Sequence, residues 1–287
     1  MLLGRRKTLR ICSYGGVLVT IFLLFSVLQV LVSRDNESIG IVTVTNTRVF
    51  AHDTELTILD YSAADDRLVN HVRNTLIQPY QGTPDMQYNL TMIKPNSDYS
   101  RGQSKIIDEH LQKKYVGYYI DVGAGDGESN SVTLFFEKER SYNGLLIEPY
   151  PGRYMTLLTK NRRANTLQAC VRTNKTGSLK EYLAVKQTTS SIVPCLWMET
   201  IVAATGKNTI DVLSINVREQ ELEILGAIPF DKLNISVVSI EFSHNSSAYL
   251  DVIRFMSNIN YVAIHQFVYH PLHKVDVVFA KKSKVKK

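Results

Sequence analysis

The stretch Tyr119-Ile-Asp-Val-Gly-Ala-Gly-Asp-Gly127 decides the fold. Its first four residues favour a β-strand, and the three glycines at alternate positions favour a tight turn. Glycine permits positive φ angles and lets a ligand approach the backbone, while a helix that begins after such a turn presents free N–H groups. Ser129 is predicted as the N-cap of this helix. The stretch therefore predicts a strand, a ligand-binding turn and a helix.

The glycine spacing separates two classes of cofactor loop. A dinucleotide-binding fingerprint would place its third glycine at position 128, which is Glu128. The spacing Asp-x-Gly-x-Gly-x-Gly is instead the type that binds S-adenosylmethionine. Glu148 ends the next predicted strand, 27 positions after Asp121, where a carboxylate would bind a ribose diol. A structural turn beside a solvated glutamate is the alternative. The predicted cofactor-binding residues are Asp121, Gly123, Gly125, Asp126, Gly127 and Glu148.

Apolar runs of strand length alternate with helical patterns over residues 115–280, which indicates an α/β domain with a doubly wound parallel sheet. The last two strands are joined by a short turn, so an antiparallel hairpin is predicted at one edge. The predicted strands are 117–122, 144–147, 166–170, 211–215, 236–242, 261–267 and 275–280. The predicted helices are 129–139, 153–163, 196–205, 219–228 and 248–257.

A helix-and-loop extension, residues 66–114, precedes this domain. Apolar residues at helical spacing predict a helix over 66–80, which Pro79 ends, and a second helix over 105–114. Residues 81–104 carry glycine, proline, asparagine and serine signals and are predicted to be irregular. Residues 34–65 are mostly polar and are interpreted as a stem.

Residues 11–33 contain no charged side chain, and 23 residues of helix span about 34 Å, enough for a hydrocarbon core of about 30 Å. A cleaved signal peptide is the alternative, but its apolar core would be shorter. Four basic residues precede this span, so residues 1–10 are expected to stay in the cytoplasm. The sequence therefore predicts a type II signal anchor with a lumenal domain and a basic tail, 281–287.

Charge, sequons and cysteines fit that arrangement. The two terminal segments hold nine basic residues, so a formal net charge of +6 leaves −3 for residues 11–280, which excludes a basic nucleic-acid-binding body. Cys170 and Cys195 lie 25 residues apart and are candidates for a disulfide, with free thiols as the alternative. The candidate glycosylation sites are Asn36, Asn89, Asn174, Asn234 and Asn245.

Residues 115–280 resemble the FkbM methyltransferase family, through Asp121-Val-Gly-Ala-Gly, Leu146-Ile-Glu148-Pro149 and the segment from Asp211 to Leu225. Within it, the run from Leu134 to Pro149 and Val193-Pro-Cys are most similar to the Star group. That resemblance implies a class I methyltransferase-like fold behind a membrane anchor. It also implies transport of membrane-tethered growth-factor precursors from the endoplasmic reticulum to the Golgi, and onward to endosomes and the plasma membrane, in epidermal growth factor receptor signalling.

The sequence departs from the family where the reaction would take place. Asn216-Val-Arg218-Glu219 stands where FkbM enzymes carry Asp-x-Glu-Gly, and an amide is no general base. Glu241 and His244 are the substitute candidates. His265, His270 and His273 lack accompanying acids or thiols, so no metal site is predicted. We therefore expect weak S-adenosylmethionine binding or none, and an escort without turnover; an active O-methyltransferase acting on a lumenal glycan or lipid hydroxyl is the alternative.

Overall fold

Eight strands of one mixed sheet form the framework of the domain. The computed structural model describes residues 62–83, 85–173, 193–217, 219–242, 248–269 and 274–282, all within the compact unit Thr54–Lys287. The strands are β1 Ile77–Gln78, β2 Tyr118–Val122, β3 Asn143–Ile147, β4 Asn165–Leu167, β5 Cys170–Val171, β6 Cys195–Leu196, β7 Thr209–Ile215, β8 Asn234–Phe242, β9 Tyr261–Tyr269 and β10 Lys274–Lys281. The α-helices are α1 Asp66–His71, α2 Gln103–His110, α3 Thr133–Glu139, α4 Pro151–Leu158, α5 Met198–Thr205, α6 Glu221–Ala227 and α7 Ala248–Asn258.

The strand order is β1-β4-β3-β2-β7-β8-β10-β9. Strands β4, β3, β2, β7 and β8 run parallel, while β10 pairs antiparallel with both β8 and β9. The predicted α/β class I methyltransferase-like fold with an antiparallel edge hairpin is thereby confirmed. The parallel strands all end at one edge, and the strand order reverses between β2 and β7. Ligands of open α/β sheets bind outside that edge at such a reversal.

Two apolar clusters cover the two faces of the sheet. The larger includes Ile120, Leu213 and Ile240 from the strands with Leu225 and Val252 from α6 and α7. The smaller includes Tyr119, Val212 and Val237 from the strands, with Ile107 from α2 and Phe136 from α3. Neighbouring residues of one strand therefore contribute to opposite clusters. This arrangement explains why the central strands have continuous apolar runs.

Three of the predicted boundaries that the structure corrects have a clear physical reason. The predicted helix 66–80 ends earlier, because α1 continues only as a π-helical turn to Leu76, and Ile77 then pairs antiparallel with Leu167. The predicted strand 166–170 is two strands, because the N–H of Ala169 donates to the carbonyl of Leu167 and turns the chain. In the first place a pairing partner distant in sequence determines the outcome, and in the second a local turn does.

The third correction concerns the helix after the glycine turn. Helix α3 begins at Thr133 with Val132 at the N-cap, so Ser129 is not its cap. The Ser129 hydroxyl and N–H donate to Asp126 instead, and Ser131 Oγ accepts the N–H of Leu134 at 3.2 Å. Ser129 is held in the glycine turn by Asp126, three residues before it, whose carboxylate is a strong acceptor for its N–H and hydroxyl.

The strands β5 and β6 form a separate parallel pair, in which Cys170 lies opposite Cys195. The two Cα atoms are 4.4 Å apart and a disulfide joins the side chains. The bond encloses 25 residues of chain. It ties the end of the β4 region to the start of α5.

The predicted membrane span, residues 11–33, lies outside the described residues, as do Asn36, Asn174, Arg218, His244 and Asn245. Among the residues that the structure does describe, no helix has the length and apolar composition needed to cross a bilayer.

Candidate functional site

The glycine turn lies between the end of β2 and α3, and Gly123, Gly125 and Gly127 all have φ angles between +62° and +79°. A Cβ atom on Gly123 would overlap the carbonyl oxygen of Asn216, which follows β7. A Cβ on Gly125 would meet no heavy atom within 4 Å. Gly123 therefore permits close packing between two loops, and Gly125 borders open space. A ligand can approach the backbone at Gly125.

Asp126 accepts hydrogen bonds from the two residues that follow the glycine turn. Its Oδ1 accepts the N–H groups of Glu128 at 2.9 Å and Ser129 at 2.7 Å, and Oδ2 accepts the Ser129 hydroxyl at 2.6 Å. Desolvation raises the pKa of Asp126, but these hydrogen bonds outweigh it and the pKa is lowered. Asp126 is thus an ionised residue that shapes the turn.

Glu148, the predicted ribose ligand, is 1% exposed and faces the glycine turn. Its Oε2 accepts the N–H of Gly125 at 2.7 Å, and Oε1 accepts the N–H of Tyr150 at 2.9 Å. Burial raises its pKa, although the two amide hydrogen bonds oppose this effect. The structure therefore brings two of the predicted cofactor-binding residues, Glu148 and Gly125, together. However, both carboxylate oxygens are already engaged with the backbone.

Asp121 is buried at the end of β2 and accepts hydrogen bonds from Thr133 Oγ1, at 2.7 Å, and from Ser214. Burial is the main cause of its raised pKa. Arg162 lies beneath the turn, and its Nη2 donates to Thr133 and Tyr119 while Nη1 donates to the carbonyl of Gly127. Asp121 is therefore linked through Thr133 to a buried network that supports the glycine turn from below.

Sequence reasoning missed Glu128 as a structural residue, and the structure places it at 0% exposure. It pairs with Lys160 at 2.6 Å and accepts hydrogen bonds from Thr91 and from the N–H of Met92. Burial raises its pKa, but Lys160 and the Thr91 and Met92 hydrogen bonds lower it to about 2. Glu128 thus links the extension, residues 66–114, to the glycine turn through hydrogen bonds. An acidic residue directly after the turn was the available signal.

Asp276 is a second residue that sequence reasoning missed. It lies directly opposite Glu241 in the β8–β10 ladder, so the two side chains share one face of the sheet. Asp276 is 2% exposed, and Gln103 Nε2 donates to it and to the Tyr269 hydroxyl. A charged residue between valines in a buried strand was the signal. Glu241 is partly buried, and two carboxyl groups therefore lie near the ends of the central strands.

Asn216 is exposed at the end of β7, and its N–H donates to the carbonyl of Val122. Its amide occupies the position where the FkbM family has its first acid. Glu219 is also exposed, with a φ angle of +64°. Within the described segments, no three histidine, cysteine or acidic side chains are grouped closely enough to hold a metal ion.

Two candidate glycosylation sites lie in the described residues, and both are exposed. Asn89 Nδ2 donates to the carbonyl of Thr159 at 2.9 Å. Asn234 begins β8, and its Oδ1 accepts from Lys281 Nζ at 3.3 Å. Asn89 therefore already has a structural role in the folded chain, whereas Asn234 has one weak contact to a flexible lysine.

The site leaves room for an adenosyl cofactor at Gly125 but limits its access to Glu148. Open space at Gly125 suits a ligand that binds along the backbone. A carboxylate has about four lone-pair sites, and Glu148 uses two of them on Gly125 and Tyr150. The side chain is only 1% exposed, so a ribose diol can reach the remaining lone pairs only if the turn shifts.

Comparison with known proteins identifies a family domain that includes this site. Residues 121–263 match the family model of the methyltransferase FkbM domain. A TehB-like SAM-dependent methyltransferase from Corynebacterium glutamicum is 14% identical, with 63% of this chain and 88% of that chain covered and a TM-score of 0.38. The 1,6-didemethyltoxoflavin-N1-methyltransferase of Burkholderia thailandensis, solved with S-adenosylhomocysteine, is 12% identical, with coverages of 65% and 80% and a TM-score of 0.39.

TrmK of M. capricolum, also solved with S-adenosylhomocysteine, is 15% identical, with coverages of 62% and 68% and a TM-score of 0.37. No curated protein matches the chain. The family match begins at Asp121 and includes the glycine turn, Glu148 and the β7–β8 strand pair. Residues 121–263 of this chain are therefore a methyltransferase FkbM domain.

Proposed function

We propose that the chain is a type II membrane protein of the early secretory pathway whose methyltransferase-like domain binds partners without methyl transfer. In this proposal it escorts membrane-tethered growth-factor precursors from the endoplasmic reticulum to the Golgi and onward, in epidermal growth factor receptor signalling. The resemblance to the Star group supplies the transport role. The expected absence of turnover rests on one observation. The Glu148 carboxylate is buried, and each of its oxygens accepts a backbone hydrogen bond.

A cofactor that used Glu148 would have to shift the glycine turn, because the side chain is 1% exposed, and moving the turn away from the carboxylate breaks its hydrogen bond from Gly125. A hydrogen bond to a charged group contributes about 1.5 to 3 kcal/mol, so losing one weakens a ligand's affinity by roughly tenfold or more. Asn216 adds a second obstacle, because its side chain cannot accept a proton from an acceptor hydroxyl. Both features favour weak cofactor binding and no turnover.

The Cys170–Cys195 disulfide supports a lumenal location for the domain. Disulfides persist in oxidising compartments such as the endoplasmic reticulum lumen and are rare in the cytosol. The domain would then face the same compartment as the extracellular part of a precursor. A common membrane tether also raises the effective concentration of two such partners, so weak contacts suffice.

The first prediction concerns the cofactor. We expect isothermal titration of S-adenosylmethionine into the detergent-solubilised full-length chain to give no saturable heat, because Glu148 is buried against the glycine turn. Gly125→Arg would fill the open side of the turn, and Gly152→Arg, also bordering open space but on α4, is its matched control. A saturable one-to-one isotherm that Gly125→Arg abolishes and Gly152→Arg retains would contradict the proposal.

The second prediction concerns transport. We expect deletion of residues 66–287, with the anchor and stem retained, to stop delivery of a growth-factor precursor to the Golgi, whereas Glu148→Ala leaves delivery intact. Protease treatment of sealed microsomes first checks that the full-length domain is protected in the lumen. Digestion of the domain in intact microsomes, or loss of delivery in a folded Glu148→Ala protein, would argue against the escort function.

An active S-adenosylmethionine-dependent O-methyltransferase is the second candidate, because Glu241 and Asp276 lie opposite each other on one face of the sheet. A carboxylate acts as a general base when it lies within hydrogen-bond reach of an acceptor hydroxyl. Such a pair supplies the base that Asn216 lacks. Transfer of labelled methyl groups to a microsomal glycan or lipid fraction, lost in Asp276→Asn, would place this candidate ahead of the escort.

A further inference from the structure

The large sheet ends in two edge strands of very different length. One edge strand, β1, has two residues, whereas the other, β9, has nine. Half of the backbone N–H and C=O groups of an edge strand point away from the sheet and can pair with another strand. Within the segments that the structure describes, the backbone of β9 pairs with β10 alone. Strand β9 therefore presents a long row of backbone groups along its outer side.

The composition of β9 does not protect this edge. Native proteins commonly place charged residues or proline on an edge strand, which prevents pairing with other chains. Strand β9 contains no lysine, arginine, acidic residue or proline. The neighbouring strand β10, which is paired on both sides, carries Lys274, Asp276 and Lys281. The charges thus lie on the inner strand of the hairpin, and the outer strand is left neutral.

A β-bulge divides β9 into two parts. The register with β10 shifts at Ile264, and residues 265–269 then pair with residues 274–278 without interruption. A bulge limits pairing at the point where it lies. The regular part, residues 265–269, is called the edge segment below. It has about the length of an average strand, so it can accept a further strand along its whole length.

Aromatic side chains line one face of the edge segment. The ring centroids of His265 and Phe267 are 4.3 Å apart, and the rings of Phe267 and Tyr269 are stacked at 6.4 Å. Gln266 and Val268 alternate with them on the opposite face, and Val268 is 51% exposed. Side chains directly opposite each other on paired strands interact, and aromatic pairs stabilise such a pairing. A strand with aromatic residues at alternate positions therefore fits this edge.

We propose that the edge segments of two copies of this chain pair antiparallel around a twofold axis at Phe267. In this register Phe267 lies opposite the same residue of the second copy, His265 lies opposite Tyr269, and Gln266 lies opposite Val268. Every pair on the aromatic face then joins two aromatic side chains. A twofold axis also places identical surfaces together, so a neutral segment avoids the repulsion between like charges that β10 would meet. A second copy thus matches both the aromatic row and the lack of charge.

The pairing is expected to be weak and reversible, because two strands of five residues form a small interface. It joins two eight-stranded sheets into one continuous sheet across the axis. The proposal goes beyond the transport function, and it requires neither cargo nor cofactor.

Cysteine cross-linking of the full-length chain in detergent tests the register. One preparation carries Gln266→Cys, a differently tagged one carries Val268→Cys, and both carry Cys12→Ser to remove the thiol outside the disulfide. We expect mild oxidation to join the two variants several-fold more often than two copies of either. Directly opposite Cβ atoms lie about 4.5–5.5 Å apart, near the reach of a disulfide, whereas same-residue pairs lie about 7–8 Å apart.

Sedimentation of the full-length chain at increasing concentration tests the edge itself. We expect Val268→Lys to lower the association constant by about tenfold or more, because it places a charge on both copies of the edge segment. Leu250→Lys is the matched control, because Leu250 is 59% exposed but lies on α7. It should leave the association unchanged. Both residues are exposed, so neither substitution should prevent folding, and circular dichroism checks this.

Cross-linking that does not depend on the variant pair would overturn the proposal, as would the mass of a single copy at every concentration. Equal weakening by Val268→Lys and Leu250→Lys would overturn it too. Hydrogen exchange adds a check without variants: protection of the amides in 265–269 should rise with protein concentration. Protection that is independent of concentration would assign the edge to another segment of the same chain and contradict pairing between copies. None of these readouts involves cargo or cofactor, so they stand if the proposed function fails.

Discussion

Replacing Arg162 by methionine is expected to lower the free energy of unfolding by about 3 to 5 kcal/mol. Its side chain is 1% exposed and pairs with Glu137, which is fully buried, at 2.9 Å. The guanidinium also donates to Tyr119, Thr133 and the carbonyl of Gly127. Removing it leaves a buried carboxylate without its counter-charge, a change that typically costs this much. Because whole domains are stable by only about 5 to 15 kcal/mol, this is a large effect.

Urea unfolding followed by far-ultraviolet circular dichroism measures the change. Arg254→Met is the matched control, because Arg254 pairs with Asp251 across an exposed surface, where such pairs contribute about 0 to 1 kcal/mol. The double variant Arg162→Met with Glu137→Leu should recover part of the loss, since it removes the unpaired charge. Equal midpoints for Arg162→Met and Arg254→Met would show that the buried network does not stabilise the domain.

Replacing Gly123 by alanine is the other large effect, expected to lower the free energy of unfolding by about 2 to 5 kcal/mol. The added methyl group would overlap the carbonyl of Asn216, a backbone atom that cannot move by rotating a side chain. A positive φ angle costs a non-glycine residue about 1 to 2 kcal/mol, and overpacking adds about 1 to 3 kcal/mol. The measurement is the midpoint of thermal unfolding of the full-length chain.

Gly152→Ala is the control for Gly123→Ala. Gly152 lies near the start of α4, where an added Cβ meets nothing within 4 Å, so alanine should leave stability unchanged or raise it by up to about 1 kcal/mol. If Gly123→Ala unfolds at the same temperature as Gly152→Ala, the loops at Gly123 and Asn216 can separate freely.

Local sequence patterns were sufficient to predict the central strands and the glycine turn of the domain. Two local features were enough: the apolar runs that form β2, β3, β7 and β8, and the glycines between Asp121 and Glu128. Each of them depends on residues within one short segment. Alternating burial, positive φ angles and helix periodicity act over a few residues, so one sequence reveals them. The strand endings at Val122 and Ile147 were predicted to the residue, because a glycine and an acidic residue follow them.

The sequence by itself thus determined the α/β class, the position of the glycine turn and the identity of its acidic neighbour, Glu148. Only the tertiary structure decided the contacts of these carboxyl groups. Glu148 accepts hydrogen bonds from the N–H groups of Gly125 and Tyr150, and Asp276 lies opposite Glu241. Burial and hydrogen bonding depend on partners distant in the chain, and these control carboxyl chemistry. A residue's type shows that it can ionise, while its folded surroundings determine whether it does.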